Sequence, residues 1–184
     1  DTLGYDVSGD EVAMSDIVGD NDPSDIFGHG THIAGIVAAA WNSQGIAGVA
    51  PSAEIMAIKI RPNGTSVVGA AGILYAVNSG ARVINISWGS PFESLLIHDA
   101  VRFARENGVL ICASSGNSGS LITYYPAGFD EVMAVGAGDA DGRLTTFSTY
   151  GAHVDICAPG ENILSLRATG TDMYGTAGEP RVHI

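Results

Sequence analysis

Apolar residues recur along the chain in two alternating rhythms, one helical and one strand-like. Ile33, Ile36, Val37 and Ala40 fall at helical spacing in an alanine-rich stretch, which predicts a buried helix from near Gly28 to near Trp41. A short loop, residues 42–51, follows it. Residues 54–60 alternate and are rich in Ile and Met, as a strand would be, whereas 67–79 carry Ala71, Leu74, Tyr75 and Asn78 at helical spacing and Gly80 closes that helix. The next strand is predicted over 83–87. Residues 95–106 then place Leu96, Ala100, Phe103 and Ala104 on one face and His98, Asp99, Arg102, Arg105 and Glu106 on the other, with Gly108 ending the helix. Residues 109–113 read as a strand apolar on both faces, and 132–137 and 154–158 as further short strands.

Strands alternating with helices indicate βαβ units and a largely parallel sheet covered on both faces, so the predicted class is α/β. In such sheets chemistry gathers in the crevice beyond the carboxyl ends of the strands. The segments to search are therefore 87–91, 114–119 and the amino end of the helix at His29. No internal repeat and no linker marks a second domain, and residues 1–184 are expected to form one partial domain.

Composition narrows the partners. Eight basic against 20 acidic side chains give a formal charge of −12, which argues against nucleic acid and anionic membranes and favours cations. The acidity concentrates in the polar, loop-rich residues 1–28, where Asp16, Asp20, Asp22 and Asp25 surround Pro23. Asp6, Asp20 and Asp22, with Ser24 or Asp25 as further candidates, crowd hard oxygens into a turn, which suits calcium and equally suits a solvated acidic loop. No apolar stretch approaches the ~20 residues that cross a bilayer, and neither end carries a start signal, a signal-peptide profile or a cap, so the chain is expected to be an excised segment. Cys112 and Cys157 each sit in an apolar run with no second cysteine near, and are expected to be buried small hydrophobes rather than a disulfide.

Three segments carry candidate chemistry. In Gly28-His29-Gly30-Thr31-His32 a histidine opens a buried helix between two glycines, which suits a general base held in fixed geometry and equally suits a capping histidine. A zinc site pairing His29 with His32 lacks the glutamate of an H-E-x-x-H motif and any completing cluster. In Ser114-Ser115-Gly116-Asn117-Ser118-Gly119, after the most apolar strand, small residues let a substrate approach the backbone and Asn117 can aim its amide at a developing oxyanion; an ordinary Asn-Ser-Gly turn would read the same way. In Asn85-Ile86-Ser87-Trp88-Gly89 an apolar strand gives way to glycine, which leaves either an edge for an extended peptide or a plain strand end.

Taken in order, these segments resemble the subtilases, the subtilisin-like serine peptidases. Gly28-His29-Gly30-Thr31-His32-Ile33-Ala34-Gly35 is similar to the block around that family's catalytic histidine, and Gly45-Ile46-Ala47-Gly48-Val49-Ala50-Pro51 to the loop after it. Val83-Ile84-Asn85-Ile86-Ser87-Trp88-Gly89 resembles the substrate-binding strand and Ser115-Gly116-Asn117-Ser118-Gly119 the oxyanion block; Tyr125-Pro126-Ala127, Val135-Gly136-Ala137, Phe147-Ser148 and Ala158-Pro159-Gly160 continue the series. The resemblance implies a three-layer α/β sandwich with a mostly parallel sheet and peptide-bond hydrolysis through an acyl-enzyme. It implies His29 as general base and Asn117 as oxyanion donor. Ser87, Trp88 and Gly89, with Gly64, would bind a polypeptide substrate as an added strand, and Ser114, Ser115 and Gly116 would wall the pocket for the side chain before the scissile bond. It further implies calcium in the acidic loop and secretion.

The departures matter as much. The family's nucleophile lies in a Gly-Thr-Ser-Met-Ala block after the Ala-Pro-Gly turn, but here the chain reads Gly175-Thr176-Ala177-Gly178-Glu179-Pro180, and alanine is no nucleophile. Asp1-Thr2 superficially resembles the acid block, yet Leu3 replaces its glycine, and Gly4-Tyr5-Asp6 resembles a segment that comes downstream of that aspartate. The chain is therefore expected to be the middle of a catalytic domain, with acid and nucleophile outside it and no activity of its own. Two rivals remain: a nucleophile-less module that only holds extended peptides, and a dinucleotide-binding domain, whose G-x-G-x-x-G spacing the glycines do not match.

Overall fold

A computed structural model describes residues 4–7, 19–25, 27–60 and 64–168. The elements run β1 (Tyr5–Asp6), α1 (His29–Ala38), β2 (Ile58–Lys59), α2 (Ser66–Asn78), β3 (Val83–Ile86), α3 (Leu95–Glu106), β4 (Leu110–Ser114), β5 (Val132–Gly138) and β6 (Ile156–Pro159). β1 pairs with β2, and β3-β4-β5-β6 form a four-stranded sheet in sequence order; every strand pairing is parallel. The fold is α/β, as expected. Among the described residues no helix is long and apolar enough to cross a membrane. The chain divides into two compact units. Of the described residues, the first contains 4–7, 19–25, 27–60 and 162–168, and the second contains 64–161.

In the second unit α3 keeps the bounds that its periodicity predicts. Ser94 caps it by accepting from the Ile97 amide, and Ile97, Ala100, Val101 and Ala104 form its buried face. α2 is capped by Thr65, whose hydroxyl accepts from the Val68 amide at 3.3 Å, and its buried face of Val68, Gly69, Ala70, Gly72, Ile73 and Ala76 is small enough for α3 to pack closely against it. Beneath lies one core that includes Ile73, Ile86, Ile97, Val101, Ile111, Phe129 and Ala134. Each fully buried Ile or Val there contributes about 1.5–3 kcal/mol from area removed from water.

β4 alternates along its length: Ile111, Ala113 and, just past its end, Ser115 are buried, while Leu110, Cys112 and Ser114 are not fully covered. This pleat decides which residues of the following loop turn outward. Both cysteines are free thiols, as expected, but only Cys112 is partly buried. Cys157 is exposed because it lies on the edge strand β6, all four residues of which are exposed.

In the first unit α1 stops at Ala38, short of the expected end near Trp41. The amides of Gly48, Val49 and Ala50 donate to the carbonyls of Ala39, Ile36 and Val37 at 2.9, 2.9 and 2.7 Å, so a returning segment claims the carbonyls that another turn would need. A methyl on Gly48 would lie 2.4 Å from the Ala39 nitrogen, so only glycine permits this approach. The strand expected over 54–60 shrinks to Ile58–Lys59, the part that finds a partner in Tyr5–Asp6. There the fully buried Asp6 carboxylate pairs with the Lys59 ammonium at 2.8 Å.

Candidate active site

Where β3 and β4 end, their following segments form the two walls of one cleft. Its volume is about 290 Å³, and Ser87, Trp88, Gly89, Ser114, Gly116, Asn117 and Tyr124 line it. Six of these seven are residues singled out from the sequence; Tyr124 is the addition. The placement follows from the parallel sheet, because β3 and β4 are neighbours and run the same way, so their carboxyl ends emerge side by side.

Asn117 sits at the apex of the second wall. The loop beneath it is tied down on both sides. Thr149 donates its amide to the Gly116 carbonyl at 2.8 Å and its hydroxyl accepts from the Ser118 amide at 3.2 Å, while the Gly119 amide donates to Phe147 at 2.7 Å. Gly116 takes φ +108, a conformation suited to glycine, to make the turn. The Asn117 side chain is exposed and, among the described residues, its amide has no hydrogen-bond partner, so its N–H groups are free to donate into the cleft. Ser115 does not line the cleft: its hydroxyl donates to the Thr149 carbonyl at 3.0 Å inside the protein. Gly64 is exposed, directly before the Thr65 cap of α2, and also lies outside the lining.

On the first wall, Trp88 turns its ring onto α2. A methyl on Gly69 would lie 2.8 Å from that ring, so the helix has a glycine where the indole rests. Asn85 steadies the strand end by donating its side-chain amide to the Ser87 hydroxyl at 2.9 Å.

His29, in the first unit, is the opening residue of α1 and is half-buried. Gly28 before it adopts φ 96 and supplies no capping side chain. Asp25 takes over that role. Its carboxylate accepts from the amides of Phe27 at 2.9 Å, Gly28 at 2.7 Å and Thr31 at 2.9 Å, and from the Thr31 hydroxyl at 2.7 Å. Partial burial raises the Asp25 carboxyl, but the bonds from Gly28, Thr31 and Phe27 outweigh it and hold the group below the ordinary carboxylate value. His32, by contrast, is a core residue, 2% exposed, with Nε2 3.2 Å from the Ile163 carbonyl. Burial pushes its imidazole below the ordinary value, against the opposing effect of that carbonyl.

The carboxylates expected to hold calcium have partners within the chain. Asp6 pairs with Lys59, Asp20 accepts from the Asp22 amide at 2.7 Å, and Asp22 accepts from the amide and hydroxyl of Ser24, which hold its carboxyl below the usual range. Among the described residues no group of three or more His, Cys, Asp or Glu side chains could hold a metal ion. As described, these three carboxylates do not fit a calcium cage by themselves.

Parallel strands whose carboxyl ends carry a cleft, with an unpaired asparagine amide beside it, define an α/β domain, and comparison with known proteins specifies which. The profile described as the Subtilase family matches residues 6–180. The chain belongs to the subtilase family. It is 43% identical over 165 residues to the thermophilic serine proteinase of Bacillus sp. (strain AK1), covering 87% of this chain and 41% of that protein. It is 46% identical over 152 residues to subtilisin BL of Lederbergia lenta, covering 81% and 56%. Among solved structures it resembles the prenylagaramide maturation protease PagA with a TM-score of 0.72 at 31% identity, covering 77% of this chain and 55% of the other. The chain thus spans roughly half the length of these relatives.

Proposed function

We propose that this chain is part of a subtilisin-like serine endopeptidase, which cleaves polypeptides through an acyl-enzyme. The observation that carries the reading is the convergence of Asn117 with Ser87, Trp88, Gly89, Ser114 and Gly116 on one cleft beyond the carboxyl ends of β3 and β4. In this reading an extended peptide adds to the strand edge at Ser87–Gly89, with Gly64 at its far side, and its side chain before the scissile bond enters between that edge and the wall of Ser114, Ser115 and Gly116. Ser114 and Gly116 form that wall's surface, and Ser115 stands behind them with its hydroxyl turned inward. His29 takes the proton from a serine hydroxyl and returns it to the leaving amine, and Asn117 donates to the oxyanion that forms between.

The serine and the aspartate are proposed to lie outside residues 1–184, because Ala177 stands where the family's block has its serine and Leu3 breaks the acid block. Residues 1–184 alone are then inactive. Calcium in the acidic segment belongs to the same proposal, with backbone carbonyls joining the carboxylates, as does secretion. Labelling with a fluorophosphonate, which reacts with activated serines, tests the whole. The full gene product should be labelled at a serine beyond Ile184 in a Gly-Thr-Ser-Met-Ala block, and residues 1–184 should not. A labelled serine within residues 1–184 overturns the assignment of the nucleophile. A full product that binds extended peptides without any labelling is instead the nucleophile-less module.

A further inference from the structure

We infer that Tyr124 sets the substrate preference of the cleft, restricting it to polypeptides with a small side chain, such as alanine, before the scissile bond; this rests on the peptidase reading above. Tyr124 belongs to neither wall, yet its side chain runs from one to the other. A methyl on Gly89, in the first wall, would lie 3.5 Å from Tyr124 Cβ. A methyl on Gly116, in the second, would lie 2.7 Å from ring carbon Cδ2 and 3.1 Å from Cε2. The ring therefore occupies the space between the walls, where a substrate side chain would enter, and Gly116 lacks a Cβ where the ring rests.

The root of the residue is fixed. Tyr125 and Ser90 exchange amide-to-carbonyl bonds of 2.8 and 3.0 Å, the Gly128 amide donates to the Tyr124 carbonyl at 2.8 Å, and the Tyr125 ring packs on Phe129 with centroids 4.8 Å apart. With backbone bonds on both sides, the ring cannot leave the cleft by a shift of the main chain alone. A large side chain must displace the ring or stay out, and packing discriminates steeply: one methylene changes kcat/KM by about 10–200-fold.

The experiment uses the full gene product and two peptide anilides identical except for alanine or phenylalanine before the scissile bond. The wild type should favour the alanine substrate in kcat/KM by about tenfold or more. Tyr124→Gly and Tyr124→Ala should shift the ratio toward phenylalanine by at least about tenfold, and Tyr124→Phe should keep the wild-type ratio because bulk, not the hydroxyl, acts. Since each ratio is measured within one protein, partial loss of folded enzyme leaves it unchanged. A wild type that prefers phenylalanine, or a Tyr124→Gly ratio equal to wild type, overturns the inference. A wild type that cleaves neither substrate overturns the peptidase reading instead; Kd values for the two peptides then decide on Tyr124, and equal values overturn it.

Discussion

Asp25 is the residue whose loss should matter most around His29. Replacing it with alanine removes one acceptor group from four donors: the amides of Phe27, Gly28 and Thr31 and the Thr31 hydroxyl. Bonds to a fully buried charged acceptor would contribute ~1.5–3 kcal/mol, but Asp25 is only partly buried and water can replace some of them, so the scale of a lost helix cap applies. The expected cost is about 1–2 kcal/mol, which lowers the melting midpoint of a domain of this size by roughly 2–8 °C. The pH dependence has a definite sign. The folded-state value of Asp25 lies below its unfolded value, so its stabilisation is present above about pH 4 and is lost as pH falls through the folded value. The gap between wild type and Asp25→Ala should therefore narrow in acid, and the smaller gap to Asp25→Asn, which keeps one acceptor oxygen without charge, should narrow by the same amount, because only the wild-type side chain titrates. The assay is thermal unfolding across pH, with hydrogen exchange at the Gly28 and Thr31 amides. An unchanged midpoint at neutral pH, or unchanged protection of those amides, would refute the reasoning.

Asn117→Ala in the full gene product should reduce kcat by about 10²–10³ with little change in KM, a magnitude carried over from a single oxyanion donor in a relative rather than worked from this cleft; steady-state kinetics check it, and a loss confined to KM would count against the role. The His32 imidazole should titrate below the ordinary histidine value, so its contribution to stability is present above about pH 6.5 and is lost as pH falls through the folded value; an NMR titration at or above the ordinary value would contradict its burial. Calcium, if it occupies the acidic segment, should raise the melting midpoint relative to chelator, and equal midpoints reject the ion.

The amphipathic period of α3 and the capping chemistry of Ser94 act within a few residues, so the sequence places that helix at the bounds observed. The end of α1 and the extent of β2 depend on segments far along the chain, the amides of 48–50 and the strand Tyr5–Asp6, and no local pattern carries them. The two walls of the cleft were readable because small residues directly follow apolar strands. Ser115 was readable too, had the alternation of β4 been continued past its end: Ile111, Ala113 and Ser115 share the buried face, leaving Ser114 and Gly116 to the cleft. Tyr124 and Thr149 reach the site from other loops, so their roles arise only in three dimensions. Asp25, grouped with the acidic turn as an alternative to Ser24 beside the calcium candidates, stands four residues before His29, and an aspartate just ahead of a glycine-initiated helix is a capping signal in its own right.

Trp88 gives the molecule an optical gauge of its own cleft. The chain has two tryptophans. Trp41 is 71% exposed and its indole N–H donates to the Gly48 carbonyl at 2.7 Å, in the other unit, so its emission is that of a solvated indole. Trp88 rests its ring on Gly69 of α2 while lining the wall where a peptide would lie. A peptide seated there excludes water from one face of the indole without moving the other, so emission from Trp88 shifts toward the blue. An aqueous quencher reports the same event, because a seated peptide shields Trp88 from it. Occupancy can thus be followed by light alone.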